Sequence, residues 1–418
     1  MKKIHYAWAV LVSCCALVLG IGFTINAIGQ FFVPVTKDLG LGMGDFTFYY
    51  ALRGVSLVIS TTILNKWIAK FDVRLLTSVC FAIIVLCIGL MSTFSKVWQW
   101  YIAGVIMGFV SPPVYFQMPS IILSNWFEKK RGFVIGIAMA FSGVGGFIMN
   151  PIVASLIQSY GWRFAYVANA VISAVIVLPF LMFVIRMRPE DKGLKPYGYE
   201  EKAAVAAGDG SGDADSSAIM VKGAMKEDVI RTFPFFVMVV MLAVNGFFSG
   251  YPQHLTSYGL SIGVASTLAS FLLSLNMIGN ATSKLLLGFV SDKFGGKAMI
   301  STSFSMILIS FIMLLFGAKY LPALVIGALF SGTMYSVSSV ASPLLVQTVF
   351  GNRDFARIFL VLILSQNLFV SLGPSIVGYM FDFSGGYTIP YYFGIALVAI
   401  AAFMVFYSIR SSKKLKWS

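Results

Sequence analysis

Apolar residues run through this chain in long blocks separated by short polar interruptions. Twelve blocks stand out, at residues 6–33, 46–67, 75–95, 98–123, 132–158, 163–186, 233–257, 264–290, 298–318, 321–348, 356–380 and 388–410. All hold 20 residues or more, and at ~1.5 Å of rise per residue that length crosses the ~30 Å hydrocarbon core of a bilayer as a helix. The blocks are continuous rather than alternating with period two, which argues against a barrel. The pattern predicts an all-α membrane protein with twelve transmembrane helices. An even number of crossings puts both termini on one side.

The blocks form two sets of six around Arg186–Arg231. This stretch contains EEKAAVAAGDGSGDADSSA, Glu200 to Ala218, which is rich in small and acidic residues and has little to bury. It reads as a flexible linker, giving an N-terminal bundle at 1–186, a linker at 187–231 and a C-terminal bundle at 232–418. The two sets also repeat. Lys70-Phe71 and Lys293-Phe294 are 223 positions apart (293 − 70), Pro119 and Pro343 are 224 apart, and Pro151 and Pro374 are 223 apart. A near-constant offset implies two pseudo-symmetric six-helix bundles, an arrangement that places substrate sites at the midplane between halves.

Composition agrees: 58% of residues are hydrophobic and only 11% charged. The net charge of +14 does not mark a nucleic-acid binder, because the excess sits in short loops. With the termini inside, the inner loops and tails collect Lys66, Lys70, Arg74, Lys129, Lys130, Arg131, Lys293, Lys297, Arg353 and the basic residues of both tails. The outer loops hold only Lys37, Lys96, Arg163 and Lys319. That asymmetry predicts cytoplasmic termini in a cell membrane. The first apolar block is longer than a signal-peptide core and has no clear cleavage site, so it reads as a retained helix. Cys14, Cys15, Cys80 and Cys87 lie inside apolar blocks without metal or disulfide spacing. No nucleophile–base pair, metal cluster or phosphate loop appears, so neither enzyme activity nor a metal or cofactor is expected.

Against this apolar background a few polar side chains matter. Arg53, Lys284 and Arg357 lie within or at the edge of helices, and no Asp or Glu lies deep in any of them. A charge at membrane depth is costly and usually marks a pathway or binding site. Two readings fit Lys284: a cation that pairs with an anionic substrate, or a lysine that snorkels to the nearby interface. Arg53 has the same two readings, with a planar fork suited to carboxylate. Arg357, beside Arg353 and Asp354, reads as an edge charge. The amides Asn26, Gln30, Asn245, Asn280 and Gln366 either line a polar cavity or tie helices together. Asn280 is one turn before Lys284 and shares its face. His254 reads as a shallow interfacial histidine, or else as a proton-coupling group. Tyr115 lies in SPPVYFQMP, a helix broken by prolines, and broken membrane helices tend to face cavities. The glycines Gly132, Gly136, Gly143, Gly145 and Gly146 read as close-packing positions.

The turn at Gly288, Asp292, Lys293, Gly295 and Lys297 matches G-x-x-x-D-[KR]-x-G-x-[KR]. With twelve helices and a central linker, it resembles the major facilitator superfamily. The resemblance implies that Asp292 and its turn latch neighbouring cytoplasmic helix ends in one state. The first-half equivalent has Asn65 for the glycine and Ala69 for the aspartate, so that copy is degraded. A finer resemblance is to the monocarboxylate porters and oxalate/formate antiporters. It rests on Asn26–Phe32, Asn125–Gly136, Val349–Arg353 with Gly373–Asp382, and Asn280-x-x-x-Lys284-x-x-x-Gly288. Those families typically have arginine at the Lys284 position. They differ in having lysine at Asn26, aspartate at Asn280 and, in oxalate porters, lysine at Gln366. The resemblance implies a secondary transporter of a small organic anion, with a monocarboxylate favoured, coupled to a proton or a counter-anion. The expected substrate-binding residues are Lys284, Asn280, Arg53, Asn26, Tyr115 and Gln366. A monomer in the lipid bilayer is expected, with no nucleic-acid partner. The alternatives are an exporter of drugs or metabolites, and a non-transporting membrane receptor.

Overall fold

The computed structural model describes residues 5–68, 71–115, 117–128, 131–199, 229–230, 232–350 and 354–412. Among them the chain forms twelve helices and no strand beyond an isolated bridge between Phe127 and Tyr197. In the first half, α1 is Ala7–Leu39, α2 Met43–Ile68 and α3 Val73–Leu90. Helix α4 comes in two pieces, Val97–Val110 and Gln117–Trp126. Helices α5 and α6 are the limbs of one run, Arg131–Pro179, that bends at Gly161. In the second half, α7 is Phe233–Ser261, and α8 and α9 are the limbs of Ser266–Gly317, bent at Gly295. Helix α10 starts at Leu321–Ser331 and ends at Ser342–Phe350, α11 is Phe355–Ser384 and α12 Thr388–Ser412.

Eight described helical runs are long and apolar enough to cross a membrane. Helix α8, which carries Asn276, Asn280 and Lys284, is not among them. Helix α4 is cut at Pro112 and Pro113.

Each half has its own core. Phe31, Phe81, Trp100, Trp126 and Tyr166 are fully buried in the first, and Phe248, Tyr251, Phe311 and Tyr391 in the second. After α6 the chain docks back on the first half. Trp126 Nε1 donates to the Arg186 carbonyl (2.9 Å), Asn125 Nδ2 to that of Met187 (3.1 Å), and Tyr197 N to that of Trp126 (2.9 Å). The Glu200–Ala218 stretch lies outside the described residues.

The repeat is closer in sequence than in backbone. Gly295 turns the chain between α8 and α9 at φ 82°, ψ 169°, a conformation essentially restricted to glycine. The residue 223 positions earlier (295 − 223) is Asp72, at φ −60°, ψ 125°, where it caps α3. Its carboxylate accepts the Arg74 N–H at 2.9 Å and pairs with the Arg74 guanidinium at 2.6 Å. The guanidinium holds the Asp72 carboxyl below its ordinary range.

Twelve crossings return the chain to its starting side. We call the side with the N-terminus and the Gly295 turn the terminal end, and the other the distal end. All described hydrogen bonds between the halves lie from mid-depth to the distal end. Between α2 and α11, Asp382 accepts from the Met43 and Gly44 amides, Tyr379 donates to Asp45 (2.9 Å) and Ser375 to the Thr47 carbonyl (2.8 Å). Between α1 and α8, Gln30 Nε2 donates to the Ser270 carbonyl (3.0 Å). Between α5 and α8, Ser274 Oγ donates to the Phe147 carbonyl (3.2 Å). A side chain at Gly54 would collide with Ser371, so glycine permits this approach of α2 to α11. The halves thus converge distally.

Candidate functional site

Arg53 projects from the middle of α2 and is only 6% exposed. It does not snorkel. Its guanidinium donates to the Tyr115 hydroxyl and lies 5.3 Å from the Tyr115 ring centroid and 5.8 Å from that of Tyr50. No described carboxylate pairs with it. Tyr115 can reach because the backbone leaves the helical path of α4 over Ser111–Tyr115. The arrangement is a buried fork cation held by two aromatic rings and one hydroxyl, with donors left over. Such a group recognises a carboxylate.

The second half has a break at the matching repeat position. The break at Ser111–Tyr115 maps by the 224-residue offset onto Tyr335–Ser339 (111 + 224, 115 + 224). There α10 also leaves the α path, as a π turn over Val337–Ala341. π turns frequently accompany functional sites. The Tyr335 hydroxyl accepts from Gln253 Nε2 at 3.0 Å. Gln253 is buried, its Oε1 has no protein partner, and its backbone packs on Gly29 of α1. Gln253 and Tyr335 thus pair beside α1 of the first half.

Lys284 is half-buried on α8 and makes no described hydrogen bond or ion pair. Asn280, one turn away, accepts from Ser336 Oγ (3.3 Å), and Ser336 and Ser283 share a 2.6 Å hydrogen bond. Lys284 therefore sits beside a polar knot of α8 and α10, one residue along α10 from Tyr335. The other amides link helices. Asn26 Nδ2 donates to the Ser142 carbonyl (3.0 Å), joining α1 to α5. Gln366 Nε2 donates to the Ser338 carbonyl (2.7 Å), joining α11 to α10, and its buried Oε1 has no protein partner. Asn245 Nδ2 reaches Ser342 (3.4 Å).

His254 departs from its shallow interfacial reading. It is 1% exposed, edge-on to Phe32 of the other half, with Nε2 2.8 Å from the Pro374 carbonyl and Nδ1 3.0 Å from the Tyr387 hydroxyl. A carbonyl can only accept, so Nε2 carries the proton and Nδ1 accepts from Tyr387. Both nitrogens of a neutral ring are satisfied. Arg357 is 70% exposed and 3.7 Å from Asp354, an edge charge. In the Gly288–Lys297 turn, the Asp292 side chain lies outside the described residues. Lys293 and Lys297 are exposed, Lys293 over the rings of Phe289 and Phe294, and nothing packs within 4 Å of a Cβ position at Gly288 or Gly295. Gly145 packs on Gly22 of α1, whereas nothing packs against Gly136.

Sequence reasoning missed Tyr50, Tyr335 and Gln253. Tyr50 was detectable one turn before Arg53. Tyr335 was detectable as the residue at the repeat position of the α4 break.

The model of the Major Facilitator Superfamily matches residues 12–268 and 235–417. Monocarboxylate transporter 4 of Gallus gallus is 24% identical over 391 residues, covering 91% of this chain and 78% of its own. Among solved structures, an inward-facing bacterial homolog of the human lysosomal transporter Spinster superposes with a TM-score of 0.68 at 16% identity, covering 100% of this chain and 99% of its own. A D-xylose–proton symporter superposes with a TM-score of 0.69 at 16% identity, over 98% and 99%. These structural likenesses show the fold.

Proposed function

The chain belongs to the Major Facilitator Superfamily, and from that premise we propose that it transports a small organic anion, a monocarboxylate first, by alternating access. The observation that carries this reading is Arg53: a buried arginine at membrane depth, held by Tyr50 and Tyr115, with no described acid to neutralise it. An uncompensated cation there is unfavourable until an anion arrives. A carboxylate between the halves would take the free donors of the fork and meet Tyr335 and Gln253 from the other side. Lys284 lies nearer the terminal end and guides the anion toward Arg53. The similarity to monocarboxylate transporter 4 supports the substrate class.

In this reading the 1–186 and 232–418 bundles rock as units joined by the 187–231 linker, and the loop basic residues put both termini in the cytoplasm of a cell-membrane monomer. The distal contacts then close the outer side, and this conformation faces inward. The Gly288–Lys297 turn latches the terminal end in the opposite state. No described carboxylate lies deep beside the site, so coupling runs through a counter-anion or through the substrate's own proton.

Purified protein in liposomes, preloaded with one unlabelled monocarboxylate and presented with a labelled one, tests this. Saturable uptake that R53Q abolishes is expected. Absence of carboxylate uptake across acetate, lactate, pyruvate and formate would sink the anion reading.

A further inference from the structure

At the distal end of the α2–α11 seam, one carboxylate of the second half closes the helix start of the first. Asp382 Oδ1 accepts the Met43 N–H at 3.0 Å and Oδ2 the Gly44 N–H at 2.7 Å. These are the opening amides of a 26-residue helix, which have no partner within the helix. They also carry the positive end of the helix dipole, which favours a carboxylate. The flanking glycines make room. A Cβ at Gly42 would stand 3.0 Å from Asp382 Oδ2, and one at Gly44 would collide with Tyr379. Tyr379, one turn before Asp382, donates to Asp45 in the first turn of α2.

The contact has no counterpart at the other seam. By the 223-residue offset Met43 corresponds to Ser266, the start of α8 (43 + 223), and Asp382 to Ser159 on α5 (382 − 223). Position 159 holds no carboxylate, and the described α5–α8 hydrogen bond is the neutral one from Ser274 to Phe147. Among the described residues the charged closure is therefore one-sided.

We propose that Asp382 is the latch of the distal gate. It caps α2 while the halves are together there and releases it when they part, so that the carboxylate sets the balance between the two end states. This rests on alternating access, but not on an anionic substrate.

The test reads gate opening without any substrate. Ala51 is 2% exposed on α2, between Thr47 and Gly54, and serves as the reporter as A51C. The four native cysteines are buried, and labelled peptides are separated by mass. A membrane-impermeant maleimide is applied to right-side-out and inside-out vesicles in parallel, so the result does not depend on which end faces the cytoplasm. D382N should raise the A51C labelling rate from the distal side about tenfold, and D382E should stay within about threefold of the parent. An unchanged rate in D382N, or an equal rise in D382E, overturns the latch. If D382N does not reach the membrane, Y379F removes only a hydroxyl from the same closure. Faster labelling in Y379F is then expected, and unchanged labelling overturns the proposal. Loss of carboxylate uptake with this labelling pattern intact would instead count against the substrate reading alone.

Discussion

The Arg53 guanidinium donates to the Tyr115 hydroxyl across the α2–α4 contact, and that hydroxyl is its one described protein hydrogen-bond partner. The remaining donors have no acid to meet. If they bind substrate, R53Q should weaken monocarboxylate binding by about 10- to 150-fold, the value of a charge-assisted hydrogen bond. R53K keeps the charge but loses the fork, and should recover only part of the affinity. Isothermal titration with the best carboxylate of a thermal-shift screen checks both, and parent-like affinity in R53Q would remove Arg53 from the site.

In the proposed site Tyr115 acts through Arg53 as much as on the anion. Y115F leaves the ring under the guanidinium and removes the hydroxyl that aims it. Binding should weaken about three- to tenfold, with unchanged protein yield, because one modest hydrogen bond is lost and the aromatic contact stays. Y115A removes both and should fall further. If Y115F and Y115A behave alike, the hydroxyl is not what positions the arginine.

Lys284 has no described partner, which separates its two readings by experiment. A cation that guides or holds the anion should tolerate K284R and lose about tenfold or more in uptake rate as K284A, with steeper salt dependence in the parent. A lysine that serves only by reaching the interface should leave uptake unchanged in both. Tracer uptake at low and high ionic strength distinguishes them.

The fold was legible because its determinants are one-dimensional. Apolar blocks about 20 residues long and a 223-residue offset are enough to place twelve helices in two related bundles. Arg53, Lys284 and Asn280 were also legible, since a charge or amide stands out in an apolar run. Tyr50, Tyr335 and Gln253 were not, because a tyrosine or glutamine in an apolar run is ordinary, and only the folded contacts of Tyr50 with Arg53 and of Gln253 with Tyr335 single them out. His254 was misplaced for a related reason. Its place near the helix end suggested an interfacial side chain, but α1, α11 and the residue before α12 close over it, with Phe32, Pro374 and Tyr387 around the ring.

The two α2–α3 and α8–α9 turns give the last prediction, because the same repeat position is solved by different backbones. Gly295 sits at φ 82°, ψ 169°, which a Cβ disfavours although nothing packs against it. G295A should therefore cost about 1–3 kcal/mol through backbone strain alone and lower the melting temperature in detergent. Asp72, at the matching position, is extended and caps α3. D72G should cost only a few tenths of a kcal/mol, and D72A about 1 kcal/mol, because glycine is a tolerated cap. The pH dependence follows from the lowered Asp72 carboxyl. A depressed acid contributes its full stabilisation above its unfolded pKa, near ~3.9, and loses it as pH falls through the lower folded value. The gap between parent and D72A should thus be constant from about pH 5 to 8 and shrink in stronger acid. Melting curves of the variants across that range decide it. A D72A gap that grows toward acid would mean the carboxylate is not stabilising the cap.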